Sequence, residues 1–305
     1  MPQLPDLPAS HPFSPSGHAR YRQWRDARLA ARARCPLPET VDITDLDAAP
    51  GPEQLAQLRH SLAVHNMVLF HLPPAARPAD PLQVLPPLLA ALGVTTLDEH
   101  AGAGAEGQSK LAEHGAADAR LSGYIPYTRA AINWHTDGYY HPAHTPIRTL
   151  ALYCHQPAAQ GGENHLLDSD LAYIHLRDTD ADAALALTNA DAMIIPEHRR
   201  DGRLLRPARP GPVLLFPEPP SPAPALRYTR RARHVQWSPD PGVQRGRELL
   251  GAWLDSVPVG TISQRLEAGW GVITRNVLHA RSAFEDPEGV PPRQLIRARS
   301  FQALH

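Results

Sequence analysis

The chain has 305 residues, 42% hydrophobic and 20% charged, with a formal net charge of −1 and a pI near 7.0. This length and apolar content can bury a full core, and β-rich enzymes of this size commonly form one unit, so a single domain over 1–305 is expected. The balanced charge carries no electrostatic footprint for nucleic acid or an anionic membrane. Cys35 and Cys154, the only cysteines, make no disulfide framework. No basic-then-apolar leader opens the chain, and no apolar run approaches the roughly 18 residues of a membrane span. The expected setting is a reducing cytoplasm and the expected partner a small molecule, with no nucleic acid and no membrane; homo-oligomerisation stays open.

Residues 1–17 carry Pro at positions 2, 5, 8, 12 and 15 and read as an extended arm. Residues 19–34 set Tyr21, Trp24 and Leu29 among arginines, which suits a short surface helix. Leu55, Leu58 and Leu62 recur at helical spacing within 53–64, and 67–72 is a short apolar run expected to be a buried strand. Asp80-Pro81 joins a capping residue to a first-turn proline. It opens a helix striped by Leu82, Leu85, Leu88, Leu89 and Leu92 and ended by Gly93, which Pro86-Pro87 should break or kink. Residues 101–123, rich in Ala and Gly, read as a mobile loop. From 124 onwards the texture is β: 148–155 is a strand, and 192–195, 213–216, 226–229, 271–276 and 293–301 are further short ones. Helical insertions are expected at about 169–190, capped at Asp168 or Ser169, and at about 243–256. Residues 207–224 hold eight prolines and read as an irregular excursion. The pattern predicts a mainly β fold with flanking helices around a double-stranded β-helix, a cupin-like jelly roll.

The chemistry concentrates in Trp134-His135-Thr136-Asp137-Gly138 and in Asn276-Val277-Leu278-His279-Ala280-Arg281. In extended chain, residues i and i+2 point to the same side, so His135 and Asp137 can reach one point. His279 can add a third ligand. Two histidines and one carboxylate on one side of a metal form the facial triad of non-haem Fe(II) oxygenases. With 17 His in the chain, chance alone supplies a His-x-Asp pair, so the spacing needs its context. Arg293 and Arg297 lie four apart and would share a face of a strand, offering planar forks that bind a carboxylate through two hydrogen bonds. Arg299 is an outside candidate on that face.

These segments, with Gly161-Gly162-Glu163-Asn164 between them, agree in order and approximate spacing with the taurine/2,4-D dioxygenase family (TauD/TfdA), which the chain resembles. The resemblance implies an Fe(II)/2-oxoglutarate-dependent dioxygenase that uses O₂, hydroxylates a small organic substrate and releases succinate and CO₂. It implies His135, Asp137 and His279 as metal ligands. Arg297 matches the family's principal 2-oxoglutarate anchor and Arg293 its helper. Asn164 stands where the family has a Thr whose hydroxyl helps to bind 2-oxoglutarate. The family places a flexible lid at about 101–123. Halogenases of the wider superfamily replace the carboxylate ligand, so Asp137 argues for oxygenation.

Tyr124, Trp134, Tyr139 and Tyr140 surround the metal strand and are the candidate substrate wall. The run Arg227, Arg230, Arg231 and Arg233 could receive an anionic substrate or form a solvated face. Two other readings stand beside the oxygenase: a non-catalytic metal- or ligand-binding jelly roll, and a zinc-dependent hydrolase on a cupin-like barrel.

Overall fold

The computed structural model describes residues 13–14, 16–46, 50–99, 103–104, 107–112, 125–200, 202–216, 224–231, 233 and 235–305. In chain order its main elements are α1 (His18–Arg34), β1 (Thr40–Asp42), α2 (Pro52–His65), β2 (Met67–His71), α3 (Leu85–Ala91), β3 (Gln108–Ala112), β4 (Ile132–His135) and β5 (Thr149–Gln156). There follow β6 (Asn164–Leu167), α4 (Ser169–Thr179), α5 (Ala181–Ala186), α6 (Pro241–Asp255), β7 (Ile262–Gln264), β8 (Trp270–Thr274), β9 (Leu278–Arg281) and β10 (Gln294–Ser300). Short two- and three-residue strands join them. The chain divides into two compact units, one of Met1–Pro36, Trp134–Pro146 and Leu167–Thr261, the other of Leu37–Asn133, Ile147–Leu166 and Ile262–His305.

In the second unit, six strands form a sheet in the order β1-β2-β8-β5-β10-β3, and a smaller sheet sets β7, β6 and β9 side by side. All pairings of the large sheet are antiparallel except β1 with β2. Strand alternation separates its two faces. Val68, Phe70, Ala151, Tyr153, Ile273, Ile296 and Ala298 pack with Leu58, Leu62, Leu85, Leu88 and Leu89 of α2 and α3. Leu69, Leu150, Leu152, Cys154, Val272 and Leu295 pack with Leu166 of β6, Leu266 and Val277. Two sheets with an apolar filling and helices outside make the jelly roll that the sequence predicts, although the sheets do not close into a barrel. Arg297 and Arg299 share the parity of Leu295 and so lie on the filled face.

Gly271 marks the tightest point of the large sheet: a Cβ there would overlap the Phe70 ring and fall 2.6 Å from the Leu152 carbonyl oxygen. A pair of buried charges lies at the other end of the sheet's ladder. Arg299 is 1% and Asp98 4% exposed, their side chains form a short ion pair, and the Asp98 N–H donates to the Arg299 carbonyl at 2.7 Å. Arg299 is therefore spent on the fold.

In the first unit, helix ends are set by aspartates. The Asp168 carboxylate accepts from the Asp170 N–H to open α4, Asp180 ends α4 and accepts from Ala183 N–H to open α5, and Asp240 precedes Pro241 and caps α6. The helical insertion expected at 169–190 is thus two helices, because Asp180 at φ −157° leaves the helical region and restarts it. Arg28 and Arg32 of α1 reach Asp170 and Asp168 at 2.6 and 2.8 Å.

Other expectations change in detail. Asp80-Pro81 opens only a 3₁₀ turn (Pro81–Gln83), and Pro86-Pro87 start α3 instead of kinking a longer helix. First-turn N–H groups have no intrahelical partner, so proline costs nothing there. Within the loop expected at 101–123, residues 108–112 are strand β3, paired with 294–298 of β10; residues 113–123 lie outside the described residues. The arm at 1–17 lies mostly outside them too. In the proline-rich 207–224, Arg209–Gly211 and Leu214–Leu215 are short strands.

We predict that Gly271→Ala destabilises the protein by about 1–3 kcal/mol, since a backbone oxygen cannot move aside as a rotamer can. A urea titration with an unchanged m-value and a lowered midpoint would bear this out; an unchanged midpoint would count against it.

Candidate functional site

β4 ends at His135 and the chain turns over Asp137–Tyr140. The intervening Thr136, fully buried, is held on both sides. Its N–H donates to the Tyr228 carbonyl at 3.0 Å, and its Oγ1 accepts from the Tyr228 N–H at 3.1 Å. His135 pairs across with Thr229. With the backbone so fixed, His135 Nε2 lies 3.7 Å from Asp137 Oδ1, the two side chains being 12% and 7% exposed. On β9, His279 Nδ1 sits 3.0 Å from the Val277 carbonyl oxygen. A carbonyl only accepts, so Nδ1 carries the proton and Nε2 the lone pair, the tautomer a metal ligand needs. One ligand atom from each of His135, Asp137 and His279 lies within 4.8 Å of the others. A borderline nitrogen–oxygen donor set with one charge can hold a single divalent transition metal from one side.

A second cluster is cationic. Gly161 and Gly162 turn at φ +70° and +74°, and a Cβ on Gly162 would stand 3.4 Å from Arg293 Nε, so this turn lies directly against Arg293. Asn164 follows it, 6% exposed, and its Nδ2 is buried with no hydrogen-bond partner among the described residues. The Arg293 and Arg281 guanidinium carbons stand 5.0 and 4.8 Å from the Phe284 ring centroid, a cation–π arrangement on both counts. Arg281 also donates to the Thr128 carbonyl at 2.8 Å and to that of Ala130. Burial, and then the Arg293 charge, push the Arg281 guanidinium down to about 9. Burial likewise lowers Arg293, with Cys154 and Asp286 opposing. Among the described residues no carboxylate comes within ion-pair distance of either. Asp286 instead takes the Arg293 N–H at 2.8 Å and the Ala159 N–H at 3.0 Å, which ties the glycine turn to the arginine. Two buried cations and an amide donor without an anion suit an acid ligand. Arg297 is 8% exposed and sits in β10 opposite Leu152 and Ser109. A register shift between Gln294 and Leu295 separates it from Arg293, so their shared face does not follow from spacing. Arg281, Phe284 and Asp286 were missed by the sequence reading; the one local signal was that Arg281 stands two residues after His279.

The substrate-wall residues divide. Tyr124 lies outside the described residues. Alternation along β4 sends Trp134 to the face opposite His135. Tyr139 meets His135 edge-on at 6.5 Å and Tyr140 at 5.5 Å, and Tyr140 lies tilted against His141 at 4.9 Å. The basic run divides as well. Arg227, 3% exposed, donates to the carbonyls of Met193 and Arg209 at 2.9 and 2.8 Å, and burial lowers it to about 10. Arg230 grips Asp255 of α6 with two nitrogens. Arg231 donates to the Tyr139 hydroxyl at 3.2 Å.

Comparison with known proteins agrees with this layout. The family described as taurine catabolism dioxygenase TauD, TfdA family matches residues 30–299. A uridine-5'-phosphate dioxygenase from Amycolatopsis sp. is 30% identical over 182 residues, 58% of this chain and 63% of that protein; the match thus spans less than two thirds of the relative. Among solved structures, an asparagine oxygenase in complex with Fe(II), hydroxyasparagine and succinate aligns with TM-score 0.55 at 14% identity, covering 87% of this chain and 93% of that one. The non-heme iron oxygenase OrfP with Fe, succinate and a dihydroxyarginine aligns with TM-score 0.57 at 16% identity, covering 85% and 93%.

Replacing Arg227 by Met should cost at least about 2 kcal/mol, because buried carbonyls lose a charged donor. Arg231→Gln should stay within about 0.5 kcal/mol of the parent, as exposed substitutions do. Denaturant unfolding of the two variants checks the contrast, and equal losses would refute it.

Proposed function

Because the chain belongs to the TauD/TfdA family, we propose that it is an Fe(II)/2-oxoglutarate-dependent dioxygenase that hydroxylates a small organic substrate. The observation that carries this reading is the convergence of His135, Asp137 and His279 to within 4.8 Å. Their two imidazoles and one carboxylate form a donor set that would hold Fe(II). Bound iron supplies the activation of O₂, and the balance is substrate C–H, O₂ and 2-oxoglutarate giving substrate C–OH, succinate and CO₂.

The chain's own residues do the rest. Val277 orients His279 and the Thr136–Tyr228 exchange holds His135 and Asp137 apart at a fixed span, so the ligands are set before metal arrives. Arg293 and the buried Asn164 amide take the far carboxylate of 2-oxoglutarate, with Arg281 adding positive charge; Arg297 helps from β10. This reverses the order of the two arginines that the resemblance implied, because Arg293 is the one that lies against the Gly162–Asn164 turn. The cationic pair also sets the oxygenase above the zinc-hydrolase and binding-only readings, neither of which calls for an acid cosubstrate. Tyr139 and Tyr140 wall the substrate side and exclude water. No helix among the described residues is long and apolar enough to cross a membrane, and a chain whose only cysteines are Cys35 and Cys154, with no disulfide framework, suits a reducing cytoplasm. The Amycolatopsis relative puts uridine 5'-phosphate at the head of the substrate panel.

Fe(II) and 2-oxoglutarate added anaerobically should give a weak visible charge-transfer band from the chelated cosubstrate. His135→Ala and His279→Ala should abolish it by losing the metal. Arg293→Ala should retain the metal but raise the 2-oxoglutarate Kd by about tenfold or more, the loss of a charge-assisted pair, and more than Arg297→Ala does. A metal-loaded parent protein without the band would overturn the assignment.

A further inference from the structure

The arginine run at 227–233 looks uniform in sequence, yet the structure gives each member a different task. Arg227 is buried on backbone carbonyls and Arg230 is paired with Asp255. Arg231 is exposed, and its one side-chain hydrogen bond among the described residues goes to the Tyr139 hydroxyl. Strand parity explains the division. Thr229 pairs opposite His135, so the side chain of Arg231, two residues on, returns to the side on which His135 points, and Arg230 points away to α6.

We infer that Arg231 and Tyr139 form an oxyanion subsite, which takes a phosphate, sulfonate or carboxylate group of the substrate; this rests on the oxygenase reading above. One phenol ring separates the guanidinium from His135, for Tyr139 packs edge-on against that imidazole and carries Arg231 on its hydroxyl. A guanidinium has five N–H donors in a planar fork, and the phenol occupies one nitrogen. The remaining donors match the two oxygens of a carboxylate, phosphate or sulfonate. No carboxylate of the described residues forms an ion pair with Arg231, in contrast to Arg230. An anion seated there would lie on the far side of the Tyr139 ring from His135, with the carbon to be oxidised reaching past Tyr139 towards that imidazole.

The test uses the full chain loaded anaerobically with Fe(II) and 2-oxoglutarate. Calorimetry compares anions with neutral partners of similar shape: uridine 5'-phosphate with uridine, taurine with ethanolamine, N-acetylglycine with its amide. At least one anion should bind about tenfold or more tightly than its partner, and high salt should narrow the gap. Arg231→Gln should bring that ratio near one while Arg231→Lys keeps part of it, and both should leave the charge-transfer band and the 2-oxoglutarate Kd unchanged. If no anion is preferred by the parent protein, or if Arg231→Gln keeps the preference, the subsite is wrong. An intact band in those cases confines the failure to the subsite, whereas a parent protein without the band removes the oxygenase reading and the subsite with it.

Discussion

A buried guanidinium has to be compensated, and the ways in which this protein does so organise the rest of the structure. Seven arginines among the described residues are buried, namely 32, 177, 227, 281, 293, 297 and 299. Removing a charge from water costs several kcal/mol unless hydrogen bonds and an opposite charge replace the water. Arg32 and Arg299 meet aspartates, Arg227 meets backbone carbonyls, and Arg177 lies over the Tyr21 ring at 4.1 Å and on the Tyr173 hydroxyl. Those four are answered within the fold. Arg281 and Arg293 are answered only in part, by an aromatic face and a few carbonyls; burial loosens both protons, and the Arg293 charge loosens that of Arg281 further. A dicarboxylate that brings negative charge to this spot relieves a cost already present in the folded chain, so its binding and the local stability are linked.

Much of the site was legible because its parts are short-range. His135 and Asp137 share a face through i, i+2 spacing alone, and Asn164 follows a diglycine turn whose positive φ angles need glycine. His279 could be placed only by its surroundings, since nothing local links it to His135. Arg281, Phe284 and Asp286 were not legible as a cluster. Their meeting depends on the return of residues 283–285 against 160–161, which no local pattern encodes. The arginine run shows the same limit: sequence gives four like charges, and only the pairing of Thr229 with His135 assigns their sides.

The fold was legible in proportion to the strength of local patterning. The apolar stripes of α2 and of the strand at 67–71 are strong, and these elements lie within a residue or two of their expected ends. Strand β3 was hidden because Gln108–Ala112 sits in a stretch rich in Ala and Gly, where β preference is weak. It exists through its ladder to β10 and through Leu111, which shares a core cluster with Leu295. Pro86-Pro87 misled for the opposite reason. The residue type was a strong signal, but its meaning depends on position in the helix, and a 3₁₀ turn upstream moved the helix start to meet it.

Burial also distinguishes the two surfaces proposed to bind anions. Arg293 is 4% exposed and works in a medium of low effective dielectric, where a charge pair is strong and salt reaches it poorly. Arg231 lies in water, where an isolated ion pair is worth little. Its contribution grows only as a bound molecule covers it and displaces that water. Such a residue discriminates weakly between small free anions and more strongly between larger molecules that carry the anion while burying the Tyr139 face. A surface of this kind selects substrates by the combination of a charge and an apolar or planar body, and a screen of inorganic anions alone would miss it.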